Sequence, residues 1–117
     1  MRYEIEDEIA AHERRNASLR NVLLSKKVNF YEPRIIESHF WAWSKDDAFG
    51  LSDELKKHGF AILVCRHSAS REDPNLWNVE VAVTQSVEST LSTEFTERLV
   101  RLAHSFRARY DGWGTSI

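Results

Sequence analysis

The stretch WNVEVAVT, residues 77–84, alternates large apolar residues with polar or small ones along its whole length. In an extended chain one face of this stretch would carry Trp77, Val79, Val81 and Val83. An alternation with a period of two is typical of a β-strand that packs one face on a core and leaves the other face outward. Residues 77–84 are therefore predicted to form a strand of a sheet with one buried face.

Two segments upstream of this strand are also predicted as strands. Residues 34–43 are rich in isoleucine and aromatic residues, and residues 60–67 form a run of β-favouring residues. Alternation in the first of these segments gives two faces, one with Ile36, Ser38, Phe40 and Ala42 and the other with Glu37, His39, Trp41 and Trp43. A slip of one residue in strand pairing would exchange these two faces.

Three segments have the spacing of helices. Residues 7–26 are highly charged with a weak apolar stripe, which predicts an amphipathic helix that lies on another surface. Ser44 is a good N-cap for a second helix. That helix is predicted to end at His58 and Gly59, because glycine commonly terminates helices. A third helix is predicted from near Ser92, because apolar residues recur there at steps of three or four until Phe106.

The order after the first helix is strand, helix, strand, strand, helix and a final short strand, which predicts an α+β, ferredoxin-like sandwich. One domain is expected over residues 1–117, with an N-terminal helix and connector in residues 1–30 and the ferredoxin-like core in residues 31–117. Both core helices should cover one face of an antiparallel sheet. The N-terminal helix, a second copy of the chain or a partner must then cover the opposite face.

Composition narrows the classes of function. The 117 residues are 42% hydrophobic and 29% charged, which is typical of a soluble globular protein. No stretch approaches the roughly 20 apolar residues that cross a bilayer, and the acidic start does not resemble a secretory signal. The single cysteine fits a reducing compartment, so a cytoplasmic location is expected. A net charge of −2 argues against non-specific binding to nucleic acid.

The sequence carries no mark of a catalytic, cofactor or metal site. Cys65 and His67 lie two apart on a predicted strand, but no third group orients them, and a small buried cysteine beside an exposed histidine is the favoured interpretation. The five histidines have no metal-ligand spacing, and the four glycines form no phosphate loop. We therefore predict no catalytic residues, no cofactor and no metal ligands.

The face that carries Trp41 and Trp43 has two interpretations. Tryptophans beside polar groups such as Glu37 and His39 are favoured anchors in protein interfaces. Alternatively, the N-terminal helix covers them. The same aromatic residues could stack RNA bases, assisted by arginines assigned to the last helical run: Arg98, Arg101, Arg107 and Arg109. A solvated helix face is the favoured interpretation for those arginines, since glutamates precede two of them by four residues.

The segment YDGWGT, residues 110–115, places two glycines around Trp113 directly after the last predicted helix. Turn chemistry explains both glycines, with Gly112 expected at positive φ and Trp113 against the last helix or the first strand. The segment also resembles the signature that closes the RraB family, regulators or inhibitors of ribonuclease E. Weaker similarity follows the family's order at residues 36–39, 46–47 and 57–60.

The resemblance implies a small cytoplasmic bacterial protein with a ferredoxin-like sandwich that binds ribonuclease E and regulates it without catalysis. The partner-binding residues expected on this basis are Glu37, His39, Trp41, Trp43, Asp111 and Trp113. Two alternatives remain open. One is an RNA-binding module that uses the aromatic face and a stripe of Arg98, Arg101 and Arg109, and the other is a small enzyme with a concave polar pocket. Homo-oligomerisation is also compatible with the uncovered face.

Overall fold

The computed structural model describes residues 2–68 and 71–117. In these ranges the helices are α1 (Arg2–Ser25), α2 (Lys45–Lys57), α3 (Val87–Thr90) and α4 (Thr93–Ser105). The strands are β1 (Arg34–Ala42), β2 (Ala61–His67), β3 (Trp77–Gln85) and β4 (Arg109–Gly114). Helix α1 begins at Arg2 rather than near Asp7, and the single turn α3, capped by the Ser86 hydroxyl, was not predicted. None of these helices has the length and apolar character needed to span a membrane.

The four strands form one sheet in the order β2-β3-β1-β4, and all neighbouring strands are antiparallel. The central pair β1 and β3 is in continuous register from Arg34 opposite Gln85 to Ala42 opposite Trp77. This is the strand order of the predicted ferredoxin-like arrangement, so the α+β class is confirmed.

One face of the sheet forms the main core. Residues Ile36, Ser38, Phe40 and Ala42 of β1 are fully buried, as the alternation predicted. Val79 and Val81 of β3 extend this buried surface, and leucines from α2 and α4 cover it: Leu51, Leu55 and Leu99. Ser44 and Ser92 cap α2 and α4 by accepting hydrogen bonds from the backbone amides of Asp47 and Phe95.

Helix α1 lies on the same side of the sheet as α2 and α4. Ile5 and Ile9 pack against the main core, and α1 runs beside α4. The Asn16 side chain is buried between the elements: its Nδ2 donates to Thr96 Oγ1 of α4, and its Oδ1 accepts from Trp113 Nε1 of β4. The interpretation in which α1 covers the opposite face of the sheet is therefore wrong, because α1 is bound to the helical layer.

A bulge interrupts the pairing of β1 with β4. Phe40 lies opposite Tyr110 and His39 lies opposite Gly112, so Asp111 has no counterpart in β1. Gly112 has a φ of 109°, which confirms the positive φ expected there. The extra residue inverts the alternation of side chains beyond it. Trp113 is therefore paired with the buried Ser38 and points to the helical side, as Tyr110 does.

Candidate functional site

The face of the sheet opposite the helices is uncovered throughout the described residues. On β1 it presents Ile35, Glu37, His39 and Trp41, and on β3 it presents Asn78, Glu80, Ala82 and Thr84. Ile35 is 62% exposed, whereas Trp41 is half-buried among its neighbours. We call this surface the open face. It combines apolar bulk with carboxylates, an arrangement suited to contact with another macromolecule.

Polar contacts on the open face join β1 to β3. His39 lies directly opposite Glu80, and the distance from His39 Nδ1 to Glu80 Oε1 is 3.1 Å. Asn78 Nδ2 donates to the other oxygen, Glu80 Oε2, at 3.0 Å. One ligand atom each from Glu37, His39 and Glu80 lies within 4.8 Å of the other two. The contacts hold the imidazole and the Glu80 carboxylate together, and the Glu37 carboxylate lies close to both.

Trp43 lies just beyond the end of β1, next to α4 and the turn that follows it, where His104, Arg107 and Ala108 line a groove. It is 44% exposed and lines the same groove with Glu4 and Glu8 of α1 and with Arg109 of β4. Arg109 is also the residue opposite Trp41 in the sheet, and its Nε is 4.0 Å from Glu8 Oε1. Trp41 and Trp43 are therefore at the same end of the molecule, next to a basic side chain that α1 partly neutralises.

The structure separates the remaining two predicted partner residues. Asp111 is exposed at the β4 edge, and its carbonyl oxygen accepts a hydrogen bond from Arg15 Nη1 of α1 at 2.9 Å. Trp113 is on the helical side, where it packs against a second buried cluster of Leu23, Phe30 and Val87. Trp113 and the open-face residues are thus on opposite sides of the sheet.

The arginine stripe expected on the last helix is interrupted, because α4 ends at Ser105. Arg107 has a φ of 53° in the turn that follows, and its guanidinium makes two hydrogen bonds with the Asp47 carboxylate. This contact lowers the pKa of Asp47. Arg109 belongs to β4. On α4 itself, Arg101 pairs with Glu97 as predicted, and Arg98 lies over the Phe95 ring.

The thiol and imidazole at Cys65 and His67 do not form a reactive pair. Cys65 is half-buried and packs against the main core. The His67 ring stacks on Trp77, and its Nε2 donates to the carbonyl oxygen of Pro74 at 2.7 Å. Cys65 and His67 therefore each have structural contacts that account for them.

A groove between α1 and β4 contains the histidine with the clearest perturbation in the described chain. The His12 ring stacks on Tyr110 at 4.7 Å between centroids, and its Nε2 donates to the Tyr110 carbonyl oxygen. Burial lowers the pKa of His12, and the hydrogen bond to the carbonyl opposes that shift. Burial likewise raises the pKa of the Tyr110 hydroxyl. The His12 shift follows from its position between α1 and β4, and the Tyr110 shift follows from its burial in the main core.

The sequence analysis did not identify Asn78 and Glu80 as part of the site, although the alternation of residues 77–84 already placed them opposite the valines. Only the register of β1 with β3 shows that Glu80 lies opposite His39 and that Asn78, which donates to Glu80, lies opposite Trp41. The role of Asn16 had no signal in the sequence, since a lone asparagine within a charged helix is usually solvated.

The comparison with protein families gives one match. The model for RraB, described as regulator of ribonuclease activity B, matches residues 13–115, from the middle of α1 to the residue after β4. A search of curated proteins found no matching relative. Because the match covers most of the described helices and the whole sheet, this chain belongs to the RraB family of ribonuclease regulators.

Proposed function

We propose that this protein is a non-enzymatic regulator that binds an endoribonuclease, ribonuclease E being the favoured target, through the open face of its sheet. Membership of a family of ribonuclease regulators supports the regulatory role. The observation that carries the proposed surface is the placement of Trp41 beside Glu37 and His39 on a face that no described helix covers. Trp43 would extend the contact, with Asp111 at its edge.

The chemistry of the open face favours a protein partner with a mixed apolar and basic surface. Half-buried aromatic side chains lose little conformational freedom on binding and contribute much of the energy of many interfaces. Glu37 is exposed and forms no ion pair within the described residues, so it is available to a cation on a partner. Binding at such a surface would alter cleavage by masking part of the ribonuclease rather than by filling its active site.

The test is a binding titration of the purified protein with purified ribonuclease E, combined with the cleavage rate of a model RNA. Trp41→Ala should weaken binding about tenfold or more, as expected for an interface anchor, and should reduce the effect on cleavage in parallel. Phe49→Ala is the matched control, because Phe49 is an aromatic residue 43% exposed on the helical layer. It should bind as the parent does.

Two results would count against this proposal. If Trp41→Ala and Trp43→Ala stay folded by circular dichroism and bind ribonuclease E like the parent, the open face is not the contact surface. If binding disappears after nuclease treatment and the substitutions of Arg98 and Arg101 flatten its salt dependence, the interaction is with RNA.

A further inference from the structure

We propose that Glu37, His39 and Glu80 form a binding site for a first-row divalent cation, with Zn²⁺ as the reference ion. One imidazole nitrogen and two carboxylate oxygens match the donors that such cations take in proteins with three side-chain ligands. The ligands come from two strands, so the spacing of histidines along the sequence could not show them. This site does not depend on the identity of the proposed partner.

The strand register assembles the three ligands. Glu37 and His39 are two apart on β1 and share a face, and Glu80 of β3 lies directly opposite His39. Their ligand atoms are within 4.8 Å of one another, and the pair His39 Nδ1 and Glu80 Oε1 is at 3.1 Å. A tetrahedral Zn²⁺ with bonds of about 2 Å needs donor atoms about 3.3 Å apart. The exposed Glu37 side chain is the ligand that would move to complete this geometry.

A neighbouring side chain orients one of the ligands. Asn78 donates to Glu80 Oε2, which leaves Oε1 directed at the imidazole. Hydrogen bonds of this kind from outside the ligand set are a regular feature of metal sites, where they fix the ligand and raise affinity. Asn78 therefore has the position expected of a residue that supports a metal ligand.

The surroundings leave the negative charge of the cluster without a basic partner. In residues 2–68 and 71–117, neither Glu37 nor Glu80 forms an ion pair with a lysine or arginine. On the neighbouring strands Glu80 faces Val64, while His39 and Glu37 face Gly112 and Gly114. Neither glycine of β4 carries a side chain. The Arg15 guanidinium occupies the space next to Gly112, whereas a Cβ at Gly114 would meet nothing within 4 Å, so access to the cluster is open beside Glu37. A cation would offset the repulsion between the two carboxylates.

The experiment is a titration of the purified protein with Zn²⁺ by calorimetry, repeated with Co²⁺ while the protein fluorescence is followed. We expect saturable binding of one ion per chain. Bound Co²⁺ should quench the fluorescence of Trp41, which is two residues from His39 on the same face. Glu37→Gln and Glu80→Gln should each weaken binding about tenfold or more, and Asn78→Ala should have a smaller effect in the same direction. In nitrogen NMR, the chemical shift of His39 Nδ1 should change when the ion binds.

The matched control is Glu54→Gln on α2. Glu54 also pairs with a histidine, since its Oε2 is 3.4 Å from His58 Nε2, but no second carboxylate from the described part of the chain joins that pair. Zn²⁺ affinity should be unchanged in this variant. The proposal is overturned if the parent shows no saturable binding, or if the exposed and structurally tolerant Glu37→Gln variant binds as tightly as the parent.

Discussion

The backbone conformation at Gly112 strongly favours glycine over any other amino acid. Its φ of 109° disfavours any L side chain, and a Cβ there would lie 2.7 Å from Arg15 Nη1. Gly112→Val should lower the free energy of unfolding by about 1–3 kcal/mol, through backbone strain and displacement of Arg15 from the Asp111 carbonyl. Urea denaturation measures this change.

Gly114→Val is the control for this prediction, because Gly114 has no positive φ and a Cβ there meets nothing within 4 Å. It should leave the urea midpoint nearly unchanged. Equal destabilisation by the two variants would show that any side chain on this part of β4 is harmful and would refute the specific role of the Gly112 conformation. Gly112→Val that remains folded should still bind the partner.

Lys27 and Arg107 adopt a conformation that glycine adopts at the end of α2. The chain reverses after α1 and α4 with φ values of 57° and 53° at these residues, and Gly59 has a φ of 93° at the matching position. Each turn has the same pair of backbone hydrogen bonds, such as Val28 N to Leu23 O and Lys27 N to Leu24 O after α1. This is the Schellman motif, in which glycine avoids the steric cost of the left-handed region.

Lys27→Gly should therefore raise the free energy of unfolding by about 0.5–1 kcal/mol. Arg107→Gly should gain less, because it also removes the hydrogen bonds to Asp47. Chemical denaturation of the two variants side by side gives the comparison. A loss of stability in Lys27→Gly would contradict the prediction.

At the scale of elements, the docking of α1 depends on a buried amide. Asn16→Ala would leave the Trp113 indole nitrogen and the Thr96 hydroxyl without their partners and should cost about 1–3 kcal/mol. Hydrogen exchange should rise in α1 more than in β1 and β3, since the sheet keeps its own contacts. Asn21→Ala, an exposed site on the same helix, is the control, and an equal effect of the two changes would refute the role of Asn16.

The elements themselves were largely predictable from sequence, whereas their contacts were not. Alternation in residues 34–43 and 77–84 predicted β1 and β3 because each has one mainly apolar face on the core. The position of α1 was not predictable, since its weak apolar stripe does not indicate which surface it meets and its strongest contacts are polar. Trp113 was expected against the last helix or the first strand and also among the partner residues. The extra residue at Asp111 inverts the alternation, so Trp113 lies opposite Ser38 of β1 on the helical side, away from the open face.

At the scale of the whole molecule, pH should act on stability through the joint between α1 and β4. Burial lowers the pKa of His12 below its ordinary value of 6.5, so the unfolded chain takes up the proton more readily than the folded one. The contribution of neutral His12 to the free energy of unfolding is then fully present above pH 6.5. It is lost as the pH falls through the lower, folded pKa. Asp47, whose pKa is also lowered, adds a second loss in more acidic solution.

His12→Gln tests this dependence, because glutamine keeps a hydrogen-bond donor and does not titrate. The free energy of unfolding, measured by urea at a series of pH values from 7 downwards, should fall less steeply below pH 6.5 in this variant than in the parent. Identical slopes would show that His12 does not couple protonation to folding.

The two faces of the sheet also differ in the residues that they carry. The helical side of the sheet holds the buried clusters and the Trp113 indole, while the open face leaves Glu37, His39 and Trp41 to solvent. Alternation alone was enough to predict that Glu37, His39 and Trp41 share one face of the sheet, as they do in the structure. Glu80 and Asn78 required the pairing of distant strands, which a single sequence does not display.

The contacts of α1 with β4 also constrain the order of events during synthesis. The hydrogen bonds between α1 and β4 join residues 96 to 98 positions apart, from His12 to Tyr110, from Arg15 to Asp111 and from Trp113 to Asn16. At ribosomal rates of roughly 5–20 residues per second, α1 waits about 5–20 s for β4 to be made. Helix α1 therefore leaves the ribosome well before the strand that holds it, and its apolar stripe stays uncovered in the meantime.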